Sequence, residues 1–153
     1  MFDGDGKRTN AIGFATNAAA VAIQTDGKIL ITGGTGSDFA LARYNTNGSL
    51  DNSFNGIGIV TTPVGTSNSA AARSIAIQTA GKFVVAGTAF VTGNGRDFAL
   101  LRYNPHGRLD NTFDGDGKVT TPINGHELGK PTNKPDLRIN CGGPLNETVL
   151  ATD

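Results

Sequence analysis

The sequence predicts an all-β fold assembled from repeated four-stranded antiparallel sheets, and three observations carry that prediction. A long block of sequence occurs twice; the apolar residues alternate or run in short stretches with no 3.6-residue pattern; and Gly, Asn, Asp and Pro punctuate the chain at close intervals. The repeat is explicit. Asp38-Phe39-Ala40-Leu41-Ala42-Arg43-Tyr44-Asn45 returns as Asp97-Phe98-Ala99-Leu100-Leu101-Arg102-Tyr103-Asn104, an offset of 59. The match continues through Gly48/Gly107, Asp51/Asp110 and Phe54/Phe113 to Val60-Thr61-Thr62-Pro63 and Val119-Thr120-Thr121-Pro122. Upstream, Ala22-Ile23-Gln24-Thr25 returns as Ala76-Ile77-Gln78-Thr79 at an offset of 54, so five residues are inserted near Ala89 to Arg96. Phe2-Asp3-Gly4-Asp5-Gly6-Lys7 also recurs, as Phe113 to Lys118, which predicts two complete repeats preceded by the tail of an earlier one.

The elements of one repeat follow in order. Val21 and Ile23 alternate with Ala20, Ala22 and Gln24, the pattern of a strand with one larger-residue face. Thr25-Asp26-Gly27-Lys28 is a tight-turn sequence, so the next strand folds back as a hairpin. Ile29-Leu30-Ile31 and Phe83-Val84-Val85 are continuous apolar runs, expected of a strand covered on both faces. Asp38 to Tyr44 is a third strand, with Phe39, Leu41 and the stem of Arg43 on one face and Ala40, Ala42 and Tyr44 on the other. Ile57 to Pro63 and Gly117 to Ile123 read as fourth, outer strands, where a proline is tolerated at the sheet edge.

Four antiparallel strands at a period of 50 to 60 residues is the spacing of a β-propeller blade. A sandwich has no need of the same sequence twice, and β-helix repeats are much shorter. One blade is a small twisted sheet with two apolar faces, which it covers by stacking on its neighbours. The expected organisation is therefore a propeller-type region over 1–124, with blades at about 19–63 and 73–123 and the outer strand of a preceding blade. Two blades do not close a ring of four to eight. The expectation is an open, curved pair that is marginal, self-associating or a fragment.

The pattern Ala-Ile-Gln-Thr-x-Gly-Lys, followed by Asp-Phe-Ala-Leu-x-Arg-Tyr-Asn-x-x-Gly-x-Leu-Asp-Asn-x-Phe, resembles the delta-60 repeat family over residues 2 to 124. That resemblance implies a tandem, propeller-forming repeat of large bacterial proteins, many of them exported or displayed at the surface, with no catalytic residues to carry over. The chain departs from the pattern at Ala80, which stands where Asp26 stands in the first repeat, and at Asn55 and Ile57, which replace the acids Asp114 and Asp116. Residues 125–136, rich in Pro, Lys and Gly, read as a linker. Residues 137–153 read as a tail or the start of a following domain; Leu137 to Pro144 faintly resembles the opening strand of malectin-type carbohydrate-binding domains.

Composition narrows the chemistry. Thirteen Lys and Arg balance thirteen Asp and Glu, so no basic field is available for nucleic acid or an anionic membrane. One Cys excludes an internal disulfide and a multi-thiolate zinc site, and two His leave little material for a histidine centre. No apolar run approaches the ~20 residues of a membrane span. No signal peptide follows Met1, so either the protein is not exported or its natural start lies upstream. The polar residues are mostly Thr, Asn, Ser and Gly, which leans towards an extracellular or cell-surface location.

The site candidates are few. Asp110, Asp114 and Asp116 offer oxygens at the alternate spacing of calcium loops, but a turn joining blades explains Asp-Gly-Asp-Gly equally, and the first repeat lacks two of the three acids. The expectation is no cofactor, with calcium as the alternative. Asp38/Asp97 and Arg43/Arg102 recur in step, which favours structural pairing. Phe90, Val91, Asn94 and Arg96 lie in the insertion, and insertions in repeat proteins gather in loops on a binding face. The alternative is a hairpin extension folded onto the blade. The sequence thus points to a non-catalytic scaffold, adhesion or binding module, with no catalytic residue. Its expected partners are further propeller repeats, or a protein or glycan ligand. The alternative function is an accessory, carbohydrate-binding part of a larger extracellular carbohydrate-active enzyme.

Overall fold

Two sheets of the same topology account for nearly all the regular structure in a computed structural model that describes residues 6–12, 17–66, 69–93 and 95–123. The first sheet holds β1 (Asn17–Ile23), β2 (Ile29–Gly34), β3 (Asp38–Tyr44) and β4 (Ile59–Pro63); the second holds β5 (Ala70–Ile77), β6 (Phe83–Val91), β7 (Gly95–Tyr103) and β8 (Lys118–Thr121). Each runs in sequence order, every neighbour antiparallel. This is the up-and-down blade that the repeat predicts. Both sheets carry the same irregularity in the first strand, between Ala18 and Ala20 and between Ala72 and Ser74.

Local chemistry sets the turns. Asp26 accepts a hydrogen bond from the Lys28 amide, and Gly27 takes the positive φ that closes the β1–β2 hairpin. Asn55 and Asp114 occupy equivalent left-handed positions, φ 52° and 50°, a conformation that Asn and Asp tolerate better than other side chains. The outer strands are shorter than expected: Gly58 and Gly117 sit in that same turn with positive φ and the ladders begin only after them, and β8 ends at Thr121, before Pro122. Residues 124–153, and with them the linker and malectin-like readings, lie outside the described residues, as does most of the preceding-blade tail. Residues 6–12 take no strand pairing.

Each blade has a front face, turned towards the chain that precedes it, and a rear face. The rear of the first blade packs on the front of the second. Phe39, Leu41 and Leu30 from the first meet Phe83, Val85, Leu101 and Tyr103 from the second in one core, all fully buried. Gly87 has no room for a side chain: a Cβ there would collide with the Ala71 carbonyl of its own sheet and fall 2.7 Å from Cζ of Phe39 across the interface. Tyr103 stacks on Phe83 with ring centroids 5.5 Å apart, and its hydroxyl donates to Thr62 Oγ1 at 2.7 Å across the interface. Burial raises the Tyr103 hydroxyl pKa well above the ordinary tyrosine value, so it remains a donor.

The outer faces are different. Val21 and Ile23, expected to form the larger-residue face of β1, are 63% and 70% exposed, and Phe98 is 58% exposed. Of their equivalents at the interface, Phe39 lies in the core and Ile75 packs against it, while Ile77 remains 37% exposed. At Phe39 and Ile75 the neighbouring blade makes the difference.

Candidate functional site

The polar feature that recurs is a clip, found once in each blade. After β3 the chain turns back so that Leu50 bridges Tyr44 and the Asp51 amide donates to the Arg43 carbonyl. Asp51 is thereby set beside two cations: Arg43 Nε at 2.7 Å and Lys28 Nζ at 2.9 Å, both on Oδ2, while Oδ1 accepts from the Ser53 amide and hydroxyl. In the second blade Asp110 Oδ2 lies 2.8 Å from both Lys82 Nζ and Arg102 Nε, and Oδ1 accepts from Thr112. Burial works against ionisation of Asp51, but the hydrogen bonds of Ser53 and Lys28 and the charge of Arg43 outweigh it and hold the carboxyl well below its usual range. The Lys82 ammonium and Thr112 do the same for Asp110, against its burial.

The arginine has a further task. Its guanidinium carbon lies over the ring of the phenylalanine that follows, Arg43 over Phe54 at 4.6 Å and Arg102 over Phe113 at 4.7 Å from the ring centre. In the first blade it also reaches the second, where Arg43 NH1 donates to the Pro105 carbonyl at 2.6 Å. The Asn55 amide donates to the His106 carbonyl beside it. The clip therefore braces the blade and clamps it to the next.

This geometry revises one expectation and places the three candidate calcium ligands. The recurrent arginines pair with Asp51 and Asp110, not with Asp38 and Asp97; Asp38 sits at the start of its strand, where its amide donates to Thr35 Oγ1. Asp110, offered above as a calcium ligand, is committed to cations, whereas Asp116 caps the Lys118 amide and Asp114 is exposed in its turn. Among the described residues no three of His, Cys, Asp or Glu converge.

The insertion forms strand rather than open loop. Phe90 and Val91 extend β6 and pair with Arg96 and Gly95, because two added residues on each side of a hairpin lengthen its ladder. Phe90 is 37% exposed; its amide donates to the Ser69 carbonyl and its carbonyl accepts from Thr66. Arg96 donates to Ser69 Oγ at 2.9 Å. Asn94 lies outside the described residues. Two open clefts lie between the blades at opposite ends. One, of about 440 Å³, is lined by Asn17, Gly34, Ser69, Arg73 and Arg96; the other, of about 470 Å³, by Ser53, Asn55, Asn104, His106 and Arg108.

Both repeats are recognised by one family profile. Residues 24–54 and 78–113 match the family described as "Domain of unknown function (DUF5122) beta-propeller". Each match starts before β2 or β6 and runs through the clip to its phenylalanine, Phe54 or Phe113. None of the curated proteins and none of the solved structures gives a significant match. The chain is thus a repeat protein of β-propeller type, its two blades built from the matched segments and the strands that flank them.

Proposed function

We propose that the chain is a non-catalytic β-propeller segment of a secreted or cell-surface bacterial protein, serving as a scaffold, adhesion or binding module. One observation carries this reading: a Lys–Arg–Asp set that recurs in both repeats closes on the blade itself. Lys28, Arg43 and Asp51 close on one another, and so do Lys82, Arg102 and Asp110. What the repeat preserves is the bracing of blades. The polar composition, poor in Lys and Glu, and the delta-60 resemblance support an extracellular setting.

Within this reading the ligand-facing feature is the extended β6–β7 hairpin, where Phe90 stands partly exposed beside Thr88 and Arg96. The alternative, a carbohydrate-binding accessory of a larger extracellular enzyme, draws on the malectin-like run from Leu137 to Pro144. A glycan array and a panel of extracellular proteins, probed with the parent protein, test both. Phe90→Ala is expected to weaken whatever binding the screen finds while lowering stability by well under the ~3–5 kcal/mol of a fully buried phenylalanine. A loss of that full size would make the hairpin structural. Turnover of a glycan by this chain alone would overturn the non-catalytic reading.

A further inference from the structure

The geometry points to a head-to-tail docking surface: the rear face of the second blade receives the front face of the first blade of another copy of this chain. The inference rests on the repeat-module reading above and deepens it by naming the faces and the occupant.

The interface inside the molecule serves as the template. Phe39, Leu41 and the Arg43–Phe54 pair form the rear of the first blade, and the second blade covers them. Their equivalents Phe98, Leu100, Arg102 and Phe113 form the rear of the second. Phe98 is 58% and Leu100 38% exposed, and the Arg102–Phe113 stack is already in place. On the opposite side of the molecule, the front face of the first blade carries the equivalents of the surface that does the covering. Val21 and Ile23 stand for Ile75 and Ile77, Gly33 for Gly87 and Tyr44 for Tyr103.

A second contact with the geometry of the first would set rear-face groups against their front-face counterparts by repeat position. Phe98 would lie over Gly33, as Phe39 lies over Gly87. A cleft of about 240 Å³ lies there between the sheet, at Ile31, Gly33, Ala40 and Tyr44, and the preceding residues Arg8, Thr9, Asn10 and Ile12; Ala40 and Tyr44 are already buried in the single chain. Tyr44 would meet Thr121, as Tyr103 meets Thr62, and Arg102 would reach the Thr46 carbonyl, as Arg43 reaches that of Pro105. Asp114 would present its amide to the Asn47 carbonyl from the same left-handed turn that Asn55 uses towards His106. Residues 8–12 line the Tyr44 side of the front face, the part that β4 covers on the second blade. The β8 strand of the incoming copy competes for that place, and docking displaces them.

Such a contact is heterologous, since different faces meet, so it propagates until rotation closes a ring or an open array grows. Sedimentation of the intact chain across micromolar to near-millimolar concentration tests it. The expected result is a weight-average mass rising from 15.7 kDa to about twice that value or more, as a propagating contact requires. Two blocked variants, Phe98→Arg/Leu100→Arg on the rear and Val21→Arg/Ile23→Arg on the front, are expected to stay at monomer mass with unchanged β-type circular dichroism. Mixed in equal amounts they are expected to form dimers and nothing larger, an outcome specific to a two-faced contact. A wild-type chain at monomer mass throughout would overturn the docking inference while leaving the scaffold reading intact. So would association that survives both blocks, or a mixture that stays monomeric. Glycan turnover would sink the scaffold reading without bearing on the docking.

Discussion

Phe39→Ala is expected to cost about 3–5 kcal/mol, the range for emptying a fully buried phenylalanine site, whereas Phe98→Ala should cost under about 1 kcal/mol. The two residues occupy the same position of the repeat, in the same local sequence. Phe39 is fully buried between the blades, with its ring against Gly87; Phe98 is 58% exposed. Chemical denaturation of the two variants reads the difference directly. Against a total stability of about 5–15 kcal/mol for an ordinary domain, the first substitution leaves little margin. Equal effects would mean that the blades do not stack as described.

The second large effect concerns the clip. Asp51→Ala leaves Arg43, 5% exposed, without its carboxylate. Breaking one side of a buried pair costs about 3–5 kcal/mol; the Pro105 carbonyl, Ser53 and the Phe54 ring still hold the guanidinium, so the lower end is expected. The same pair sets an acid limit. The folded carboxyl pKa values of Asp51 and Asp110 lie below the unfolded value near 4. Their contribution is therefore fully present above the unfolded value and is lost as pH falls towards the folded values. Melting temperature should be level from pH 7 to about 5 and drop steeply below about 4. In Asp51→Asn the acid drop should be shallower. A profile that falls only on the alkaline side would remove the clip from the account.

The strands and their pairing were legible in the sequence because they rest on local signals: a block repeated at an offset of 59, Asp26-Gly27 at a hairpin, and alternation in Asp38 to Tyr44. The clip was half legible. Arg43 and Arg102 recur visibly, but their partners Asp51 and Asp110 reach them only because the chain turns back after β3, and no periodicity records that return. Burial was the least legible property. Phe39 and Phe98 read identically, and the difference between them belongs to the neighbouring blade. The insertion was visible as five extra residues, yet whether they hang free or lengthen the ladder depends on backbone pairing, which side-chain identities such as Phe90 and Val91 do not specify.

The central claim is that two copies of one blade stack rear to front through a single core. Nuclear Overhauser effects in the labelled chain test it most directly. The account predicts contacts from the Phe39 ring protons to the Gly87 Hα protons and from the Tyr103 ring to the Thr62 methyl, alongside the cross-strand contacts within each sheet. Cross-strand contacts in both sheets, with neither of the two contacts between them, would contradict it.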